Sequence, residues 1–270
     1  MIPAPFDYEL ATSVDHALEL LSSGRDAKAL AGGQSLLPLM KLRFARPELL
    51  IDVGRLAELS GVREHDGGLA IGAMTRHHDV ATSELVRSRC AVVAEAAAGI
   101  GDPQIRHRGT IGGSIAHADP ASDLPAVLLA LDGELVARGP EGERTIPAAE
   151  FFRGVFESAL AADELLTEVR VPAATGTYLK FHRRAQDWAT VGAAAVRANG
   201  SVHVALANMG ATPIRATGVE DALGGGADAE AAAARADEGT EPPSDTNGSA
   251  DYRRHLARVL VRDALVAVLH

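Results

Sequence analysis

Two double-glycine turns constrain this chain more than any other feature. Ala31-Gly32-Gly33-Gln34-Ser35 and Thr110-Ile111-Gly112-Gly113-Ser114 each carry apolar residues before the glycines and a serine after them. Paired glycines let a backbone approach a ligand closely and turn successive N–H groups toward one point, a concavity that binds phosphate without a basic side chain. A helix start behind the first turn would add its dipole. Two such turns, with 75 residues from Ser35 to Thr110, could grip a pyrophosphate from both sides. Taken singly, each reads first as a tight turn, since Gly-Gly is a common turn element. Neither is a G-x-G-x-x-G fingerprint, and no G-x-x-x-x-G-K-[ST] occurs, so an ordinary Rossmann or P-loop site is disfavoured.

Around these turns short strand and helix patterns alternate. An amphipathic helix follows Asp15, and Ala27 to Ala31 reads as a strand. Ser35 is placed to cap a helix to about Leu42, and Leu49 to Val53 reads as a second strand. This βαβ-like order defines a first lobe, residues 1–55. In the next segment, Gly67-Gly68 separates two short strands, and Thr75 is placed to cap a helix to about Thr82. Arg89 to Gly99 reads as one Ala/Val-rich helix, and 101–120, dense in Gly, Asp and Pro, as a long irregular loop. Ser122 precedes an apolar helix, DLPAVLLAL, and strands are expected near 134–137 and 164–171, closing a second lobe, 56–172. Beyond it, Asn199-Gly200 marks a hairpin between 191–198 and 201–207. Residues 224–250 read as an acidic linker with one helix, 229–236, and a terminal helix spans 252–269.

Composition excludes several classes. With 26 basic and 36 acidic residues the net charge is −10, a poor match to a nucleic-acid backbone. The one cysteine, Cys90, allows no disulfide framework, thiolate zinc site or iron–sulfur cluster on this chain. The start carries acids where a signal peptide needs bases, and no apolar run is long enough to span a bilayer, so the expected location is the cytoplasm. The histidines have no metal-ligand spacing: His77 and His78 are adjacent and diverge on a helix. Gly112-Gly113-Ser114-Ile115-Ala116 is one residue from a G-x-S-x-G nucleophile elbow, which keeps a serine hydrolase using Ser114 as a minority reading. The sole tryptophan, Trp188, is either a packing aromatic or a ring over a planar cofactor.

Four stretches together carry a resemblance: AGGQSLLPLMKLR (31–43), RGTIGGSIAHADPASDLPAVLLAL (108–131), KFHRRAQDWATVGAA (180–194) and GSADYRRHLARVLVRDAL (248–265). In order along nearly the whole chain, they resemble the FAD-binding medium subunit of molybdenum hydroxylases, with aerobic carbon monoxide dehydrogenase the nearest kind and xanthine dehydrogenase a relative. The resemblance implies an α+β fold: a two-lobed FAD-binding domain of the vanillyl-alcohol-oxidase (PCMH) type, residues 1–172, then a C-terminal domain, 173–270, with a β-sheet and terminal helix. It implies that FAD is held through Ala31, Gly32, Gly33, Gln34 and Ser35 and through Thr110, Ile111, Gly112, Gly113 and Ser114. Asp123 resembles the residue that bonds the cofactor hydroxyls, Leu166 an apolar residue at the flavin, and Trp188 a mobile aromatic near the ring. Ser114 stands where the family usually has Asn, and His107 where Asn is frequent. On this reading the acidic 224–250 stretch is a helix and loop inside the C-terminal domain.

The implied function is that of an oxidoreductase flavoprotein subunit. It would receive electrons from [2Fe–2S] clusters of a small subunit, fed by a molybdopterin-containing large subunit, and pass them to an external acceptor. The expected assembly is a heterotrimer, able to dimerise, with no nucleic acid and no transmembrane segment, and free to associate with the inner face of the membrane through the complex. No catalytic side chain and no metal ligand is implied on this chain. A stand-alone FAD oxidase of similar fold and a non-catalytic binding module are the alternatives.

Overall fold

A computed structural model describes residues 2–198 and 200–269. The chain begins with β1 (Asp7–Leu10), α1 (Val14–Leu21), β2 (Ala27–Leu30), α2 (Leu36–Lys41) and β3 (Leu49–Asp52). Their three strands form a parallel sheet in the order β1-β3-β2, with Leu30 beside Asp52, so the first glycine turn leaves the carboxyl end of the sheet. The apolar face of α1 (Val14, Ala17, Leu18, Leu21) packs with Leu49 and Ile51 of the central strand. Ser13 caps this helix by accepting a hydrogen bond from the His16 N–H.

The middle segment runs β4 (Val62–His65), β5 (Gly68–Gly72), α3 (His77–Thr82), α4 (Glu84–Arg89), α5 (Ala91–Ala98), α6 (Pro103–Arg106), α7 (Ile111–His117), α8 (Asp123–Ala130), β6 (Glu134–Gly139), β7 (Gly142–Pro147), α9 (Ala148–Phe151), β8 (Phe152–Gly154), β9 (Glu157–Ser158) and β10 (Leu165–Val171). Its main sheet is antiparallel, β4-β5-β10-β6-β7, with a bulge between Leu166 and Glu168. Three sequence expectations need correction here. Residues 101–120 are two short helices with Asp102 and Thr110 as side-chain caps, so the Gly, Asp and Pro content marks helix starts instead of irregular chain. The 89–99 helix is broken at Cys90 into α4 and α5. Thr75 caps nothing; its hydroxyl bonds Gly61, and Arg76 stands at the cap position.

Cys90 is fully buried, and burial pushes its thiol up to about 12. It should therefore resist iodoacetamide in the native protein near neutral pH and react at once on unfolding, as a mass shift would record.

The last segment contains β11 (Thr175–Phe181), β12 (Val191–Ala198), β13 (Ser201–Ala207), β14 (Ile214–Arg215), α10 (Thr217–Gly224), α11 (Ala229–Ala233) and α12 (Ala250–Leu269). The four strands form an antiparallel sheet in sequence order. Ala198 pairs with Ser201 as the expected hairpin requires, while Asn199 of its turn lies outside the described residues. Alternate residues of β12 enter two different cores. Ala194 and Val196 join a core that also holds residues of α5 and α8, and Ala193 and Ala195 pack with α11 and α12. Burial on both faces explains why this strand reads as an unbroken small-apolar run. The acidic 224–250 stretch is part of this packing, with Ala232, Ala233 and Ala236 buried in the second core. The fold is α+β, as expected.

Candidate functional site

The two glycine turns meet. A Cβ on Gly32 would lie 2.3 Å from the Arg108 carbonyl oxygen and 2.7 Å from the Gly109 Cα, and one on Gly113 would lie 3.4 Å from the Ala31 Cβ. Gly33 adopts φ +73°, a left-handed conformation that glycine enters without strain. At the seam between the turns, Gly32 thus packs backbone to backbone against the residues that lead into the second turn, and Gly113 faces the Ala31 methyl.

The turns differ in what they offer. Among the described residues, the N–H groups of Gly32, Gly33, Gln34 and Ser35 have no protein acceptor. Ser35 stands at the head of α2, but its hydroxyl makes no capping bond and is free for a ligand. In the second turn the amides of Ile111 to Ser114 are engaged internally. Ile111 donates to Thr75, Gly112 to Ala73, Gly113 to the Thr110 hydroxyl and Ser114 to the Thr110 carbonyl. The first turn therefore supplies most of the free donors, and the second packs close against it. The first turn suits a pyrophosphate, because its four free amides face no competing protein acceptor.

Ser114 lies within α7, and no histidine among the described residues bonds its hydroxyl. The strained strand-to-helix elbow that a hydrolase serine needs is missing at this position.

Leu166 is buried in β10 at the bulge, next to Thr167, whose carbonyl accepts from the Ala73 N–H. Ala73 in turn accepts from Gly112, so two hydrogen bonds link the bulge to the second glycine turn. On the other side, a cleft of about 500 Å³ opens between the 95–106 segment and the β11 end; Gly99, Gly101, Arg106, Lys180, His182 and Gln186 are among its lining residues. Trp188 is on the same loop but outside this lining, 55% exposed. Ile105 joins cleft to seam: its side chain packs on Gly101, and its carbonyl accepts from Gly109.

Asp123 is only 5% exposed. Its carboxylate accepts from the Tyr178 hydroxyl at 2.7 Å and from Lys180 Nζ at 2.9 Å, and Lys180 also donates to the Gly99 carbonyl. Burial raises the Asp123 pKa, an effect that Lys180 and the Tyr178 bond oppose. Burial likewise raises the Tyr178 hydroxyl, with Asp123 adding to the effect. Sequence reading missed Tyr178 and Lys180. The available signal was their i, i+2 spacing, which puts both on one face of β11 toward an acid at the head of an apolar helix. Gly192 on the neighbouring strand makes room for Tyr178: a Cβ there would fall 2.2 Å from its hydroxyl.

His77 lies beneath the second turn, 3% exposed, and its Nδ1 has no partner among the described residues. Burial, with Arg106 and Arg76 adding to it, lowers its pKa to about 4. A folded-state pKa below the unfolded 6.5 means that the unfolded chain binds more protons between those values. Stability from this group is therefore complete above 6.5 and falls as pH drops toward 4, by roughly 3 kcal/mol at most. Urea unfolding across that range should show this loss, and His77→Phe should flatten it.

Comparison with known proteins identifies the family. The model described as the FAD-binding domain in molybdopterin dehydrogenase matches residues 4–174, and that of the CO dehydrogenase flavoprotein C-terminal domain matches residues 176–268. The chain belongs to the FAD-binding medium subunits of molybdenum hydroxylases. It is 46% identical over 281 residues to the carbon monoxide dehydrogenase medium chain of Hydrogenophaga pseudoflava, covering 99% of this chain and 98% of that one. It is 42% identical to the 6-hydroxypseudooxynicotine dehydrogenase complex subunit alpha of Paenarthrobacter nicotinovorans, covering 100% and 96%. A solved structure of the Hydrogenophaga pseudoflava carbon monoxide dehydrogenase superposes with a TM-score of 0.95 at 45% identity, covering 100% of this chain and 99% of that chain. As a medium subunit of this family, the chain is an oxidoreductase flavoprotein subunit and binds FAD. Its relatives are subunits of multi-subunit complexes. Among the described residues, no helix is long and apolar enough to cross a membrane, and no group of three or more His, Cys, Asp or Glu is placed to hold a metal.

Proposed function

We propose that this subunit carries electrons between partner [2Fe–2S] clusters and an external acceptor through FAD gripped at the glycine seam. The observation that carries the reading is the close approach of the two glycine turns, the first with four free amides, beside a cleft lined from both halves of the chain. Residues 31–35 would donate to the pyrophosphate and 110–114 would close against it. Asp123 and Lys180 border the place where the hydroxyl chain and ring would lie, with Leu166 and Trp188 at its margins. Bound FAD supplies the redox chemistry, taking up electrons and passing them on as a pair. The side chains bind, orient and shield; none is placed as a nucleophile.

A chain with one cysteine cannot house a [2Fe–2S] cluster, so the electrons would come from another polypeptide. A heterotrimer with a molybdopterin-containing large subunit and a [2Fe–2S] small subunit, working in the cytoplasm, suits this chemistry. A free oxidase would need an acid–base pair over the ring. The buried Asp123 offers none, because both its oxygens are bonded within the protein.

The direct test is FAD uptake by the purified apo-chain. FAD at about 100 times its Kd should raise unfolding free energy by about 2.7 kcal/mol, while FMN, which lacks the pyrophosphate, should give little. No stabilisation by FAD, or equal stabilisation by FMN, would refute the seam as the grip.

A further inference from the structure

The loop that carries the sole tryptophan is tied at both ends to one small turn by two arginines. Arg253, in the first turn of α12, is 0% exposed, an environment that a guanidinium tolerates only with good hydrogen-bond partners. Its Nη1 donates to the Thr190 carbonyl and its Nη2 to Asp245 Oδ1 at 2.7 Å. Thr190 is where the 182–190 loop rejoins the sheet, and its N–H donates to Phe181 at 2.8 Å, closing the loop's neck. At the other end, Arg183 Nη1 donates to the Thr246 carbonyl at 2.9 Å. Asp245 shapes that turn by accepting the Asn247 N–H at 2.7 Å. A third tie reaches the glycine-turn side: Asn208 donates through Nδ2 to the Ala189 carbonyl at 2.7 Å and through its N–H to Pro120 at 2.8 Å.

Packing alone does not call for an arginine here, since an apolar side chain of similar length would fill the same space. What the guanidinium adds is a simultaneous bond to a loop neck and to a carboxylate on a separate turn. Between the tied ends, residues 183–186 and 188 are exposed, so the neck sets where this stretch stands. We propose that Arg253, assisted by Arg183, is a positioning residue that pins the 182–190 loop to the 245–248 turn. The pin fixes Trp188 and the cleft-lining His182 and Gln186 relative to the cofactor. The second clause rests on the cleft being the flavin's place; the pin itself does not.

Trp188 is the only tryptophan, so intrinsic fluorescence reports this loop without ambiguity. Acrylamide quenching of the apo-chain is compared for wild type, Arg253→Lys and Arg183→Ala, with Tm measured alongside. Arg183 is exposed, so its variant leaves the core intact. Quenching should rise about twofold in each variant as the loop gains freedom, with Tm unchanged for Arg183→Ala. FAD should then be bound about tenfold more weakly by both. Quenching equal to wild type in Arg183→Ala, or a change that only follows a fall in Tm, overturns the pin. If Arg253→Lys does not fold, Arg183→Ala decides alone. Increased quenching with FAD affinity unchanged keeps the pin and overturns its link to the cofactor.

Discussion

Replacing Lys180 by methionine is expected to destabilise the fold by about 3–5 kcal/mol, because it strands the Asp123 carboxylate in a buried site. Lys180 and Asp123 side chains are 8% and 6% exposed, and their 2.9 Å contact joins the head of α8 to β11. The paired change Asp123→Asn with Lys180→Met removes both charges and should recover most of the loss, leaving a coupling of about 2 kcal/mol or more in a double-mutant cycle. Urea unfolding of the four proteins measures this directly. Strict additivity would mean that the pair does not lock the two halves of the chain together.

Gly32→Val is expected to weaken FAD binding by about 100-fold or more, near 2.7 kcal/mol. The clash partner is the Arg108 carbonyl, part of the backbone, so no side-chain rotation relieves it and the two turns must move apart. The exposed Gly24 is the control: nothing lies within 4 Å of a Cβ there, although its φ of +79° adds local strain. Gly24→Asn, a residue that tolerates this conformation, should keep FAD affinity at the wild-type level in an equilibrium titration. Equal affinity for Gly32→Val and wild type would remove the seam from the account.

Much of the molecule was legible because local signals and tertiary demands agree. The strand ahead of Gly32-Gly33, the strand after it and the terminal helix all follow from period and turn chemistry. The failures are equally physical. In 101–120, Asp102-Pro103 and Thr110 are helix-start signals, but the helices they open have only four and seven residues, too short for periodicity to register. Thr75 has the right residue type for a cap, but a hydroxyl bond to Gly61 across the sheet edge engages it instead. At the site, sequence pointed to both glycine turns as grips on one pyrophosphate. Only the fold reveals that Thr110, Thr75 and Ala73 engage the second turn's amides. The partners of Asp123 lie 55 and 57 residues away, so their i, i+2 spacing reveals a shared face of β11 but not the acid it meets.

As proposed, this chain is the flavin-bearing part of a larger electron path. The most direct measurement is the cofactor content of the assembly that co-purifies with this chain from its native host. The predicted result is FAD on this polypeptide, with molybdenum and [2Fe–2S] iron on two others, in a fixed ratio. A lone yellow chain that oxidises substrate by itself, or an assembly without FAD, would contradict it.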